Sequence, residues 1–198
     1  MSSAEHPDAL LETGDRETLL RLARASIRHG LQRGVPLPVQ PAEFDEALRR
    51  IGASFVTLEE QGQLRGCIGH LEAVQPLVVD VTENAYNAAF RDPRFTPVRE
   101  EELERIAIEI SLLSPARPLH FASEEALIEQ LRPGVDGLIF EDGAHRGTFL
   151  PSVWSALPER RAFLAQLKRK AGLPPDHWSP SVRVSRYTTE SFGEGDTT

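Results

Sequence analysis

The sequence predicts an α+β fold whose sheet is mixed and largely antiparallel, with helices flanking it. Three observations predict it. Apolar residues recur at helical spacing in two stretches, Leu19, Leu22, Ala23, Ile27 and Val78, Val81, Ala85, Ala88. Ile106, Ile108, Ile110 and Leu112 alternate with Ala107, Glu109 and Ser111, the pattern of a half-buried strand. Hairpin signals occur around Gly62 and around Asp142-Gly143. The helices and paired strands follow no regular βαβ rhythm, which argues against a doubly wound sheet.

Each element has a local reason. Asp15 can cap a first helix running to about His29, with Gly30 as its stop. Gly34, Pro36, Pro38 and Pro41 force an extended connection. A short helix follows over 42–50. Ala53–Leu58 reads as a strand, Glu59–Gln63 as a turn and Leu64–Ile68 as the returning strand. Pro76 suits the first turn of a helix reaching about Phe90, which Asp92-Pro93 ends because proline pushes its predecessor out of helical geometry. Ser123 begins a short helix. Residues 135–141 and 147–150 form the second hairpin. A helix from about Glu159 to Ala171 is closed by Gly172, and 181–188 is a final strand. Residues 1–14 and 193–198 read as flexible termini around one domain spanning 15–192.

Composition narrows the function classes. At 198 residues the chain can bury a substantial core as one domain. A formal net charge of −8 argues against nucleic-acid binding, because such proteins gain affinity by neutralising phosphates with Lys and Arg. A local basic patch at Lys168, Arg169 and Lys170 lies late in a helix, where positive charge complements the helix dipole. There is no apolar run of membrane-spanning length and no signal-peptide core in MSSAEHPDAL. A single cysteine forms no internal disulfide, so the reading is cytoplasmic.

That cysteine lies in Leu64-Arg65-Gly66-Cys67-Ile68-Gly69. Strand alternation puts Leu64, Gly66 and Ile68 on a core face and Arg65, Cys67 and Gly69 on the other. A guanidinium beside the thiol would raise the thiolate fraction, and the glycines would leave room for a ligand or a tight turn. Inert packing and chemistry are both open for Cys67. Arg91-Asp92-Pro93-Arg94-Phe95 is either a helix terminator or an anion-binding corner built on its arginines. His70 falls on the face opposite Cys67 unless Gly69 breaks the strand. His6, His29, His70, His120, His145 and His177 show no metal-ligand spacing, so no metal or cofactor is implied. A polar face of Asp80, Glu83, Asn84 and Asn87 could line a cleft or be the solvated side of any surface helix.

The string LRGCIG, followed by DVTENAYNAAFRDPRFTPV, resembles the AMMECR domain family, called AmmeMemoRadiSam system protein A in bacteria and archaea. Residues 54–58, 108–114, 147–154, 163–164 and 170–173, then Arg186-Tyr187 and Phe192, continue the resemblance over about 15–192. It implies two unequal lobes with the motif toward a cleft between them. It also implies association with a Memo-like protein and a radical SAM protein, the latter carrying its own cofactor, but supplies no reaction. Carried onto this chain, the implied site is Arg65, Gly66, Cys67 and Gly69, with Asp92 and Arg94 nearby; His70 lies just beyond the motif, where members vary.

Two functions fit. In the first the chain is an enzyme or enzyme component binding a small polar or anionic metabolite. Cys67 is the reactive thiol, Arg65 stabilises its thiolate, Arg94 grips the substrate and Asp92 orients Arg94; Gly66, Gly69 and His70 line the site. In the second it is a non-catalytic adaptor docking on the Memo-like and radical SAM partners, with Cys67 packed.

Overall fold

The computed structural model describes residues 11–195; most of the two stretches read as flexible termini, and His6, lie outside the described residues. The chain divides into two compact units. One comprises the residues up to Leu113 with those from Glu190 on, the other Ser114–Thr189. Among the described residues no helix is long and apolar enough to cross a membrane.

The first unit contains helices α1 (Thr13–Arg33), α2 (Glu46–Arg49) and α3 (Leu77–Phe90). Its strands are β1 (Ile51–Glu60), β2 (Gln63–Gly69), β3 (Gln75–Pro76) and β4 (Ile106–Leu113), completed by β9 (Thr189–Gly193) from the chain's end. The sheet runs β2-β1-β4-β9, and β3 also pairs with β1. β1 pairs antiparallel with β2, β3 and β4. Helix α3 lies against β1 and β2, and α1 packs on α3 and β4. Val56, Leu58, Ile108, Ile110, Val78, Val81, Ala85 and Leu19 form the core between them. Thr57, Cys67, Glu109 and Ser111 sit on the sheet's other face, none of them fully buried.

The second unit has its own core around Phe140, Phe163, Trp154 and Leu127. Its strands β5 (Arg117–Pro118), β6 (Gly137–Asp142), β7 (His145–Phe149) and β8 (Arg183–Tyr187) run in the order β5-β8-β6-β7. Helices α4 (Glu124–Gln130) and α5 (Arg160–Lys170) accompany them. Lys168 is not part of a basic patch: it is fully buried, paired with Glu124 at 2.5 Å and 5.4 Å from the Trp178 ring centre.

Several expectations change. Helix α1 starts at Thr13 and does not stop at Gly30; Gly34, at φ 72°, caps it. Gly30 is glycine for a packing reason, since a Cβ there would lie 2.4 Å from the Phe90 ring and 2.8 Å from that of Tyr86. The strand expected over 181–188 is β8, and an unexpected further strand, β9, follows it in the other sheet. Glu194 just beyond them is held by Arg24 at 2.5 Å.

Candidate functional site

The site grows from the β1–β2 hairpin, turned by Gln61 and Gly62 at φ 54° and 73°. Paired positive φ values match the twist that a tight hairpin needs. The register places Thr57 opposite Cys67 and Leu58 opposite Gly66, then skips to Glu59 opposite Leu64. Arg65 is therefore the extra residue of a β-bulge. The bulge reverses the alternation before it, so Leu64 shares a face with Glu59 and is 44% exposed rather than in the core.

Strand β2 is the edge of its sheet, and such an edge presents unpaired backbone groups outward. At Cys67 both are taken by the turn after α3. The Cys67 N–H donates to Asp92 Oδ2 at 2.9 Å, and Arg94 Nη2 donates to the Cys67 carbonyl at 3.3 Å. Asp92 and Arg94 thus stand in for a neighbouring strand. Opposed residues of an antiparallel pair that exchange no backbone bonds bring their side chains closer together. Here Thr57 Oγ1 donates to Cys67 Sγ at 3.3 Å.

Asp92 is buried and gathers donors. Besides Cys67 it accepts from Arg94 N at 3.1 Å, Nε at 2.9 Å and Nη2 at 2.7 Å. The Arg94 side chain, followed by the backbone N–H groups of Cys67 and Arg94, holds the Asp92 carboxyl far below the usual carboxylate range. Arg94 itself is pushed above the ordinary arginine value, first by Asp92 and then by proximity to the Cys67 thiol. The Arg91–Phe95 stretch is therefore both a helix terminator and an arginine corner.

Arg65 is paired with Glu102. Its Nε and Nη2 engage Glu102 at 2.7 and 3.2 Å, both side chains largely buried. That pairing lowers the Glu102 carboxyl, which also receives the Arg99 N–H. The Arg65 and Arg94 guanidiniums lie 6.0 and 5.5 Å from the Phe95 ring centre, within cation–π range. The guanidinium that bonds Cys67 is that of Arg94, through the backbone carbonyl, while Arg65 is held by Glu102.

The glycines make close contacts rather than ligand space. A Cβ on Gly66 would meet the Ala88 carbonyl of α3 at 2.2 Å, and one on Gly69 would meet the Phe55 ring and the Ser54 carbonyl at 2.4 Å. His70 follows the strand's end. Its N–H donates to the Ser54 carbonyl, and its ring Nδ1 is 2.8 Å from Asp80 Oδ1. Since Asp80 belongs to α3, His70 and Cys67 serve opposite faces of the sheet. Asp80 and Asn84 are fully buried against β1, not part of a solvated helix face.

Thr57, Glu102 and Ser54 escaped the sequence reading as site residues. The signal for Thr57 was present, in its register position across a short hairpin; nothing local marks Glu102. Among the described residues no group of His, Cys, Asp or Glu is placed to hold a metal ion.

This α+β architecture, with a thiol-bearing edge strand sealed by an Asp-Arg turn, has known relatives. The AMMECR1 family model matches residues 20–192, across both units. A protein of Methanothermobacter thermautotrophicus is 41% identical over 192 residues, covering 94% of this chain and 97% of that one. One from Methanopyrus kandleri is 38% identical over 193 residues, with coverage of 93% and 89%. The crystal structure of an uncharacterized Pyrococcus horikoshii protein matches with a TM-score of 0.81 at 34% identity, over 94% of each chain. The chain belongs to the AMMECR1 family.

Proposed function

We propose that the chain is an enzyme or enzyme component whose reactive atom is the Cys67 thiol. The observation that carries this reading is the Thr57 hydroxyl aimed at Cys67 Sγ at 3.3 Å, beside the coupled Arg94 guanidinium. A hydrogen-bond donor and a cation both favour the thiolate, the nucleophilic form of cysteine. Arg94 is 55% exposed despite its bonds to Asp92 and Cys67, so it can meet a small polar or anionic metabolite while staying oriented by Asp92. In this reading Arg65, through Glu102 and Phe95, positions the bulge instead of touching the thiol. The family resemblance supports action together with Memo-like and radical SAM partners.

Iodoacetamide labelling of the native protein at neutral pH tests it. The expected result is stoichiometric alkylation of Cys67 in the folded protein, read by mass spectrometry. Alkylation only after denaturation would overturn the reading and leave the adaptor role. The partnership is tested by co-expression with the Memo-like and radical SAM proteins, where failure to co-purify counts against it.

A further inference from the structure

The polar cluster on the α3 side of the sheet is separate from the thiol and more completely bonded. Asp80 is fully buried, and its Oδ2 accepts from Ser54 N at 2.8 Å, Ser54 Oγ at 2.6 Å and Asn84 Nδ2 at 2.9 Å. Its Oδ1 faces His70 Nδ1 at 2.8 Å and Gln75 Nε2 at 3.4 Å. The Ser54 N–H and the two amide nitrogens can only donate, so the carboxylate acts as acceptor throughout. Asn84 Oδ1 is left buried without a partner, which shows its amide turned wholly toward serving Asp80 and Ser54.

This arrangement decides the histidine's tautomer. A carboxylate that accepts from every side requires His70 Nδ1 to carry the proton, which leaves the neutral ring's lone pair on Nε2. The His70 side chain is 43% exposed while Asp80 is not exposed at all. One ring nitrogen is thus anchored and the imidazole has an accessible side, the same division of labour by which a buried aspartate orients a catalytic histidine. The backbone fixes the ring as well, through the bond from His70 N to the Ser54 carbonyl at 3.0 Å.

We propose that His70 is a second reactive centre, an imidazole oriented by Asp80 that accepts a proton through Nε2 from a hydroxyl-bearing ligand or a water. The proton moves from the ligand oxygen to Nε2. The products are an oxygen nucleophile and an imidazolium whose Nδ1–H remains on Asp80. Asp80 is the positioning residue, and Ser54, Asn84 and Gln75 hold it. Asp80 is the charged group that meets the ring directly; Gln75 connects the cluster onward to Glu83 at 2.8 Å.

Long-range proton–nitrogen NMR on histidine-labelled full-length protein at neutral pH tests the assignment. The expected signal for His70 is the Nδ1–H tautomer. Carbethoxylation by diethyl pyrocarbonate at pH 8, read by mass spectrometry, supplies a reactivity measure with exposed His120 as internal reference. Asp80→Asn should slow the modification of His70 at least fivefold relative to His120. An Nε2–H tautomer in the wild-type protein overturns the proposal, as does an unchanged rate in a folded Asp80→Asn protein. Should that variant not fold, the wild-type tautomer decides alone. Neither readout involves Cys67, so failure here is distinguishable from failure of the thiol reading.

Discussion

The Arg94 guanidinium donates to the carbonyl of Cys67 at 3.3 Å while its carboxylate partner Asp92 accepts the Cys67 N–H at 2.9 Å. The backbone N–H and C=O of one edge-strand residue are thereby both held by an ion pair two residues apart in sequence. The side chain of that same residue receives a hydroxyl from the neighbouring strand. The thiol is therefore oriented by its own backbone and by Thr57 together.

Exchanging Arg94 and Arg65 separately should divide their roles. Arg94→Gln is expected to slow alkylation of Cys67 at neutral pH, because the guanidinium that bonds the Cys67 carbonyl is lost. Arg65→Gln should leave that rate in place and lower thermal stability, because Glu102 loses its buried partner. Equal slowing in both variants would contradict the assignment.

Thr57→Val removes the hydroxyl and keeps the side-chain shape. Stability should change by about 1 kcal/mol or less, the usual worth of one hydrogen bond. The alkylation rate of Cys67 at neutral pH should fall. A variant with wild-type reactivity would mean that the Thr57–Cys67 contact is only packing.

Asp92→Asn should destabilise the first unit by about 1–3 kcal/mol at neutral pH, the range for losing one charged partner of a buried network. The folded-state carboxyl is depressed, so its stabilisation is complete above the unfolded value of about 3.9 and is lost progressively as pH falls from there toward the much lower folded value. The gap between wild-type and variant melting temperatures should accordingly be widest at neutral pH and narrow steadily as pH falls below about 3.9. A difference that is constant with pH would contradict the linkage.

Gly66→Ala puts a methyl group on the Ala88 carbonyl of α3. Relief requires moving helix or strand backbone, and the expected cost is about 3 kcal/mol, at the upper end for overpacking. Chemical denaturation measures it. A cost under about 0.5 kcal/mol, the ordinary level of a surface change, would show that β2 and α3 are farther apart.

Acid should loosen the loop before β8. Asp142 accepts from Ser181 Oγ, His177 Nε2 and Ser179 Oγ, in that order of influence, and its carboxyl is held down at about 2. The contribution is present above the unfolded carboxylate value of about 3.9 and falls away as pH drops toward the folded one. Amide exchange in 177–182 should quicken over that window in the wild-type protein. In Asp142→Asn it should be fast at every pH.

Local spacing was enough for much of this molecule. Alternation in 106–112 marked β4, Ser123 its helix start, and Asp92-Pro93 the end of α3, because each depends on residues within one turn or one strand. Gly30 and Leu64 misled for the same reason. A glycine is a helix stop only if nothing needs to pack against it, and alternation holds only where no residue is added to the strand. Gly30 serves the Tyr86 and Phe90 rings, and the bulge at Arg65 turns Leu64 outward.

The sequence by itself determined the α+β class, the hairpin that carries Cys67 and the family to which the chain belongs. Those rest on periodicity, turn chemistry and an ordered set of motifs. Only the tertiary structure decided which arginine bonds the Cys67 backbone, that Asp80 is buried beside His70, and that residues 183–193 divide between two sheets. Spacing says which side chains share a face of one element. It does not say which distant carboxylate or hydroxyl arrives there, and that arrival decides how Cys67 and His70 are oriented.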